Sequence, residues 1–465
     1  MLKKKGRDNL ALILLIALSF TTHFWALGQP NEVVFDEVHF GKFASAYYTG
    51  NYYFDIHPPL GKLILAAGGR LTGFEPGFSF ESIGLKYPDS KYYGLRFFPA
   101  LAGSLIALAV YLIIRNLGGS KKMALLGMLF IILENSFLIQ TRLILIDAFL
   151  LLFGLSGILF YLVSRNSENK RNRLINLLLS GIFLGASVSI KWTGLIFWFV
   201  VFLFSLSNLI RHCFAHSKNI VKPISLFLVF LVLIPFIFYT SVFAFHFNLL
   251  PNSGAGDAFM SQRFQSTLNN NALYNSEEKM GFFEKFFELN NVMLNANAGL
   301  TATHPYGVKW YTMPLMERSL YYWVRSEPNG SYSRIYLLGN PFVWWAVFLG
   351  IIIFSVSILR KLVKRDWKFL KSKWIPIVFL AAYFLNIATY IFISRVIFLY
   401  HYFPSLLFGI ILFPFIFESK LENRRILWGI ILISAAVFVF FSPLSYGWPL
   451  DKFLYEIHNW LPGWV

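Results

Sequence analysis

About eleven apolar runs, most of them long enough to cross a bilayer, are strung along this chain with short polar gaps between them. They fall near 10–28, 95–114, 123–139, 143–163, 173–190, 192–210, 223–246, 340–359, 374–393, 397–417 and 426–443. Segments of this kind must satisfy their own backbone hydrogen bonds in lipid, so helices and closed barrels are the only choices. Barrel strands would read as short alternating stretches, which the sequence lacks. The expected fold class is therefore an all-α polytopic membrane protein. Composition agrees: 14% of the residues are charged, against about 25% in a soluble chain.

The net charge of +18 invites a nucleic-acid reading, but the basic residues occupy the gaps between runs, where membrane topology accounts for them. Lys3–Arg7, Arg115–Lys122, Arg165–Arg173, Arg211–Lys222, Arg360–Lys373 and Lys420–Arg425 form a self-consistent cytoplasmic set. The N-terminus is then cytoplasmic and residues 29–94 form the first outer loop. Ala26-Leu27-Gly28 has a cleavage-like spacing, but the run before it is long for a signal core, and a retained span is expected. The single cysteine, Cys213, excludes internal disulfides and cysteine-built metal sites. Three regions follow: an N-terminal transmembrane domain of about seven helices (1–246), an extracytoplasmic loop (247–339) and a C-terminal four-helix domain (340–465).

Positive charge in short outer turns breaks the topological rule and needs another reason. Arg142, Lys191 and Arg395 all break it, and Lys62 and Arg96 lie on the same side. Cations gathered at the outer membrane edge suit a lipid-linked phosphate, gripped bidentately by Arg and as a point charge by Lys. Snorkelling to headgroups is the structural alternative for any one of them. Asp147 sits inside an apolar run, five residues from Arg142. That is off the helix-neighbour spacing, so a structural partner on another helix is expected.

The same outer face carries Asp36-Glu37 just after the first run, and Asp55-Ile56-His57-Pro58-Pro59 shortly beyond it. Adjacent carboxylates cannot aim at one atom from a regular element: their side chains diverge by about 100° in a helix. A division of labour follows, one taking a proton from an incoming hydroxyl and the other positioning. A dipole-stabilised acidic helix start is the bland alternative. Pro58-Pro59 stiffens the turn that presents His57, for which a phosphate contact, a proton carrier and a hydrogen-bonded loop residue all stay open. Glu134-Asn135 fits either sugar hydroxyls or a helix cap. Lys42–Tyr53 reads as an amphipathic helix in the membrane interface. The aromatic patch from His304 to Trp323 lines a peptide groove or rests in an interfacial belt. No pair of His, Asp or Glu has zincin spacing, so no metal site is read.

With these motifs assembled, the chain resembles the protein O-mannosyltransferases. The matching stretches are Phe35–Phe40, Asp55–Lys62, Glu134–Asp147, Ile190-Lys191-Trp192-Thr193-Gly194, Ser253–Ser261, His304-Pro305-Tyr306, Leu337–Pro341 and Arg395–Tyr402. The resemblance implies the C-type glycosyltransferase membrane fold and an inverting transfer of one mannose. The donor would be polyprenyl phosphate mannose and the acceptors Ser and Thr hydroxyls of translocated proteins. It implies Asp36 as the base with Glu37 in support. Arg142, Lys191, Arg395 and His57 would meet the donor phosphate. Asp55, Glu134, Asn135, His304 and His401 would contact sugar or acceptor. No cofactor or metal is expected, since the phosphate is met by Arg and Lys.

Two departures stand out. The 247–339 loop has no room for the β-trefoil module of eukaryotic members, which implies a prokaryotic-type enzyme of the plasma membrane. Tyr306 stands where Trp is common after His-Pro, keeping an aromatic face. The bilayer, the lipid-linked donor, the acceptor proteins and the translocation machinery that delivers them are the implied partners; nucleic acid is not one. Two rival readings remain: a transferase of the same fold acting on a lipid such as lipid A, and a transporter of lipid-linked sugar. The latter would carry Gly/Pro-broken paired spans and charges at mid-membrane, which this chain lacks.

Overall fold

The computed structural model describes residues 2–215, 221–299, 303–393 and 395–464, with side chains described outside 2–8 and 211–215. The Cys213 side chain and the middle of the basic 211–222 connection lie outside that description. The helices that build the frame are α1 (Leu2–Phe24), α2 (Glu37–Thr49), α3 (Leu60–Leu71), α4 (Tyr93–Asn116), α5 (Lys121–Ile132), α6 (Asn135–Gln140), α7 (Asp147–Asn166) and α8 (Lys170–Val188). They continue as α9 (Leu195–Ala215), α10 (Val221–Leu249, with a π-helical stretch at Leu228–Leu233), α11 (Phe282–Gly299), α12 (Pro341–Val363), α13 (Trp374–Thr389), α14 (Phe403–Ile416) and α15 (Arg424–Tyr446).

Helices follow the apolar runs, but not every run is one full-length span. Among the described residues, seven helices are long and apolar enough to cross a membrane: Tyr93–Asn116, Asp147–Asn166, Trp192–Ile210, Val221–Leu249, Pro341–Val363, Leu399–Ile416 and Arg424–Tyr446. Asn9–Phe24 and Trp374–Thr389 are shorter apolar helices. The 123–139 run is split, because the Glu134 carboxylate accepts from the amides of Ser136 at 2.7 Å and Phe137 at 3.1 Å and starts α6 as a new helix. Such a carboxylate satisfies amide donors that a helix start leaves free.

The basic gaps meet at one end of the bundle. Lys121 Nζ reaches Asn9 Oδ1 at 3.0 Å, Lys122 Nζ reaches the Leu421 carbonyl at 3.3 Å, and Asn166 Nδ2 reaches the Asn116 carbonyl at 3.1 Å. At the opposite end, the Tyr446 hydroxyl donates to the Thr22 carbonyl at 2.8 Å and the Asn340 amide side chain to the Leu133 carbonyl at 2.8 Å. That second end carries the polar loops.

Residues 247–339 are more ordered than their polarity implied. They hold α11 and an antiparallel pair, β1 (Leu320–Ser326) and β2 (Tyr332–Leu337), in the register Leu320↔Leu337 to Ser326↔Tyr332. The C-terminal tail adds β3 (Pro449–Leu450) to this sheet. β1 is rich in Tyr, Trp and Val, residues that favour a pleated half-buried surface. The helix expected over Lys42–Tyr53 runs instead as α2 from Glu37 to Thr49, and it ends at Gly50, whose φ of +73° suits glycine. Beyond it Tyr52–Phe54 runs extended against the Gly254–Gly256 turn. A Cβ on either glycine would collide with that backbone. The turn thus holds the extended segment that leads into Asp55–His57.

Candidate active site

The site begins with a strained residue. Phe35 adopts a left-handed φ of +48°, a conformation costly for a bulky side chain and found mostly where its surroundings enforce it. Here β1 enforces it: the Phe35 amide donates to the Tyr322 carbonyl at 3.1 Å, and the two rings stack at 4.2 Å. Asp36 follows at the start of α2. Its carboxylate makes no capping bond and accepts no hydrogen bond among the described residues. Burial pushes its pKa up to about 7; the charges of Asp147 and Asp55 add to this, and Lys191 opposes it.

Glu37, one residue on, is spent. It is fully buried, and its two oxygens accept from Arg96 Nε and Nη2, the Val34 and Ile144 amides and the Tyr87 hydroxyl, all at 2.8–3.0 Å. The expectation that Glu37 shares in the chemistry therefore meets a different arrangement: it ties the first loop, α4 and the turn before α7 together. Arg96, read as a further outer cation, is its partner.

A cavity of about 360 Å³ is lined by His57, Asp147, Lys191, Asn297, Arg395 and His401, among others, and by Tyr400, whose ring centre is 6.5 Å from that of Phe35, the residue before Asp36. Lys191 Nζ reaches Asp147 Oδ1 at 2.8 Å and Oδ2 at 3.0 Å, and sits 5.1 Å from the centre of the Tyr400 ring. Asp147, whose partner was expected on another helix, thus finds it in the turn between α8 and α9. Gln140 Nε2 donates to the same carboxylate at 2.8 Å, and the Tyr322 hydroxyl donates to Gln140 Oε1. Arg395 Nη1 donates to Asn297 Oδ1, and Asn297 Nδ2 donates to the Ile56 carbonyl at 2.9 Å. Burial, reinforced by the charges of Lys191, Lys62 and Arg395, holds the His57 pKa well below its ordinary value. His57 is therefore a neutral imidazole at pH 7, and a hydrogen-bonding group rather than a cation. His401 stacks on Tyr400 at 4.5 Å. Leu150, Leu294, Phe392 and Ile393 give the same cavity an apolar side.

The other sequence candidates lie apart from this cavity. Arg142 is buried, donating from Nη2 to the Trp25 and Ala26 carbonyls at 2.8 and 2.5 Å, with the Tyr446 ring 4.6 Å from its guanidinium. Arg142 is therefore not brought to the cavity of Lys191 and Arg395; Nη2 joins the end of α1 to the α6–α7 turn, while its buried Nε and Nη1 have no hydrogen-bond partner among the described residues. Glu134 caps α6 and accepts from the Asn340 amide at 2.5 Å, while Asn135 donates to the Phe438 carbonyl and Ser445 hydroxyl. Both are fully buried, which favours the helix-cap alternative over sugar contact. Asp55 pairs with Lys62 at 2.5 Å, next to the cavity. His304 is exposed, packed edge-on against Phe398. Among the described residues no three His, Cys, Asp or Glu side chains gather as a metal-binding group.

Sequence reading passed over Asn297, Tyr400 and Tyr322. Asn297 sits on α11 within the polar loop, and only the fold brings it to Arg395. Tyr400 was overshadowed by its neighbour His401, and Tyr322 was one of several aromatics on a segment whose strand character went unread.

Two family profiles match. One, described as dolichyl-phosphate-mannose-protein mannosyltransferase, matches residues 13–251; the other, the C-terminal four-TMM region of protein-O-mannosyltransferase, matches residues 282–464. The chain is 36% identical over 272 residues to dolichyl-phosphate-mannose–protein mannosyltransferase 1 of Saccharomyces cerevisiae, covering 57% of this chain and 33% of that one. It is 34% identical over 272 residues to protein O-mannosyl-transferase 2 of Danio rerio, covering 57% and 36%. The matched part is thus about a third of the length of these curated relatives. Among solved structures, the S. cerevisiae protein O-mannosyltransferase Pmt1-Pmt2 complex bound to the sugar donor superposes with a TM-score of 0.91 at 22% identity, over 99% of this chain and 93% of that one. ArnT from Cupriavidus metallidurans bound to undecaprenyl phosphate gives 0.55 at 12% identity, over 94% and 76%. The fold is that of the C-type membrane glycosyltransferases, and the chain belongs to the dolichyl-phosphate-mannose-protein mannosyltransferase family.

Proposed function

We propose that this chain transfers one mannose from a polyprenyl-type phosphate mannose to Ser and Thr hydroxyls of protein acceptors, inverting the anomeric centre. Asp36 takes the proton of the acceptor hydroxyl while the oxygen attacks C1 of the sugar. The C1–O bond to phosphate breaks, and its electron pair leaves on the phosphate monoester. Lys191 and Arg395 meet that charge in the transition state, with His57 and His401 as further hydrogen-bonding groups. A phosphate monoester leaves readily, so the scheme needs no general acid and no metal.

One observation carries the reading: a free carboxylate raised to about pKa 7 feels the charges of Lys191 and Asp147, which line a cavity that also holds the Arg395 cation and an apolar side. An anionic headgroup on a hydrocarbon tail suits such a cavity. The S. cerevisiae complex of the same fold is bound to the sugar donor, and the relatives are dolichyl-phosphate-mannose–protein mannosyltransferases, which supports this reading. The alternation of basic gaps supports a cytoplasmic N-terminus, an extracytoplasmic site and residence in the cell membrane, where translocated proteins reach the enzyme. The test is transfer in membranes expressing the chain, with labelled polyprenyl phosphate mannose and both a Ser/Thr-rich peptide and lipid acceptors. Label on the peptide is expected. Label on lipid alone would replace the protein acceptor by a lipid one.

A further inference from the structure

A second cavity, of about 560 Å³, lies among α7, α8, α9 and α10. It sits at the end of α7 remote from Asp147, roughly 28 Å along the helix by its rise per residue. That is the end where the basic gaps meet. Its mouth carries Arg165, from the last turn of α7, and Arg173, from the first turn of α8. Neither has a carboxylate within ion-pair distance among the described residues. The Ser164 hydroxyl donates to the Arg173 carbonyl at 3.0 Å, tying the two helices so that both guanidinium groups serve one opening. Below them is a polar ledge, where Asn208 Nδ2 donates to the buried Tyr161 hydroxyl at 3.1 Å. The rest of the wall is hydrocarbon: Leu177, Phe202, Leu206, Phe227 and Leu231. α10 is mostly exposed, with Leu228, Val229, Val232 and Leu233 facing outward. Its π-helical stretch lines the cavity, and such irregular turns recur at functional sites.

We propose that this cavity binds one anionic glycerophospholipid from the leaflet at that end. Its phosphate lies between Arg165 and Arg173, and one acyl chain lies along the Phe202–Leu231 wall. Two guanidinium groups without acidic partners among the described residues complement the negative charge of a phosphodiester and offer it forked N–H donors. A free inorganic anion would use only the arginines and leave the apolar wall unfilled. The lipid braces α7, α8 and α9 at the ends opposite Asp147 and Lys191, and so supports the frame of the other cavity without entering it.

The full-length chain is reconstituted in nanodiscs of phosphatidylcholine alone or mixed with phosphatidylglycerol, then examined by thermal melting and native mass spectrometry. One retained phosphatidylglycerol per chain and a higher Tm in the mixed discs are expected. Arg165→Gln/Arg173→Gln should lower retention about tenfold or more, since each basic residue near an anionic lipid is worth on the order of a factor of five. Leu206→Trp, which fills the wall and keeps both arginines, should also lose the lipid and decides the matter if the double variant fails to fold. Lys121→Gln, at the same end but outside the cavity, should retain it. Equal retention by the double variant or by Leu206→Trp would overturn the proposal. So would equal retention of phosphatidylcholine, or the same Tm gain from inorganic phosphate.

Discussion

The Glu37 carboxylate and the Arg96 guanidinium face each other in two parallel hydrogen bonds, Nε to Oε1 and Nη2 to Oε2, both at 2.8 Å and both groups fully buried. Of the two adjacent acids this pair ties up one, and it leaves the Asp36 carboxylate, which accepts no hydrogen bond among the described residues, for the proposed role of base. Arg96 also donates to the Pro30 carbonyl at 2.9 Å and the Glu32 carbonyl at 3.1 Å, so the pair fixes the whole approach to Phe35 and Asp36.

Removing Glu37 therefore acts on folding first. Glu37→Ala leaves a buried guanidinium without its counter-charge, and a loss of about 3–5 kcal/mol is expected. Protease resistance and thermal melting of the purified chain measure it. A variant with unchanged Tm and abolished transfer would instead return Glu37 to the chemistry.

The two arginines that look alike in the sequence separate in their effects. Arg395→Ala removes a cation from the cavity and should weaken donor binding about tenfold to a hundredfold, the range for a hydrogen bond to a charged group. Arg142→Ala should lower the Tm and leave donor affinity where it was. Titration of both variants with a fluorescent polyprenyl phosphate distinguishes them; equal losses of affinity would put Arg142 back in the phosphate site.

Tyr322 links the strained Phe35 to the Asp147–Lys191 pair through Gln140. Tyr322→Phe keeps the ring on Phe35 and leaves the buried Gln140 oxygen without its donor, at about 1–3 kcal/mol. Tyr322→Leu also removes the stacking that supports the left-handed backbone before Asp36. Turnover should therefore fall further in the leucine variant, with donor KM little changed in the phenylalanine one. Indistinguishable kcat in the two would argue against the ring as the support.

The pH profile follows from Asp36. The base works only when ionised, and its pKa is raised to about 7. Transfer should thus be full above that pH and lost as the pH falls through it. Lys191→Met should shift the midpoint upward, because the lysine charge is what restrains the rise. A profile with its midpoint near 4, the ordinary carboxylate range, would contradict the desolvated site.

Much of this was legible in the chain. Lys191 and Arg395 announce themselves as cations where topology does not ask for them, Asp36 and His57 stand out in the outer-face motifs, His401 came from the family resemblance alone, and the fold gathers His57, Lys191, Arg395 and His401 around one cavity. Arg142 announces itself identically, yet its partners are the carbonyls of Trp25 and Ala26 and the ring of Tyr446, more than a hundred residues away in either direction. Position relative to a span says that a cation is costly there; it does not say what satisfies it. The same holds for Glu134, whose capping role depends on a helix break inside a continuous apolar run. β3 was unreadable because two residues of tail carry no strand pattern without β2 beside them.

The most direct test of the account is transfer by Asp36→Asn, measured as a single turnover with saturating labelled donor at pH 8 and compared with the unmodified chain. The substitution keeps size and polarity and removes the base. A rate lower by about two to four powers of ten, the usual contribution of a positioned general base, with donor affinity and Tm unchanged, is the predicted result. Turnover within a few-fold of the unmodified chain would mean that the acceptor proton goes elsewhere, and that Asp36 is not the base.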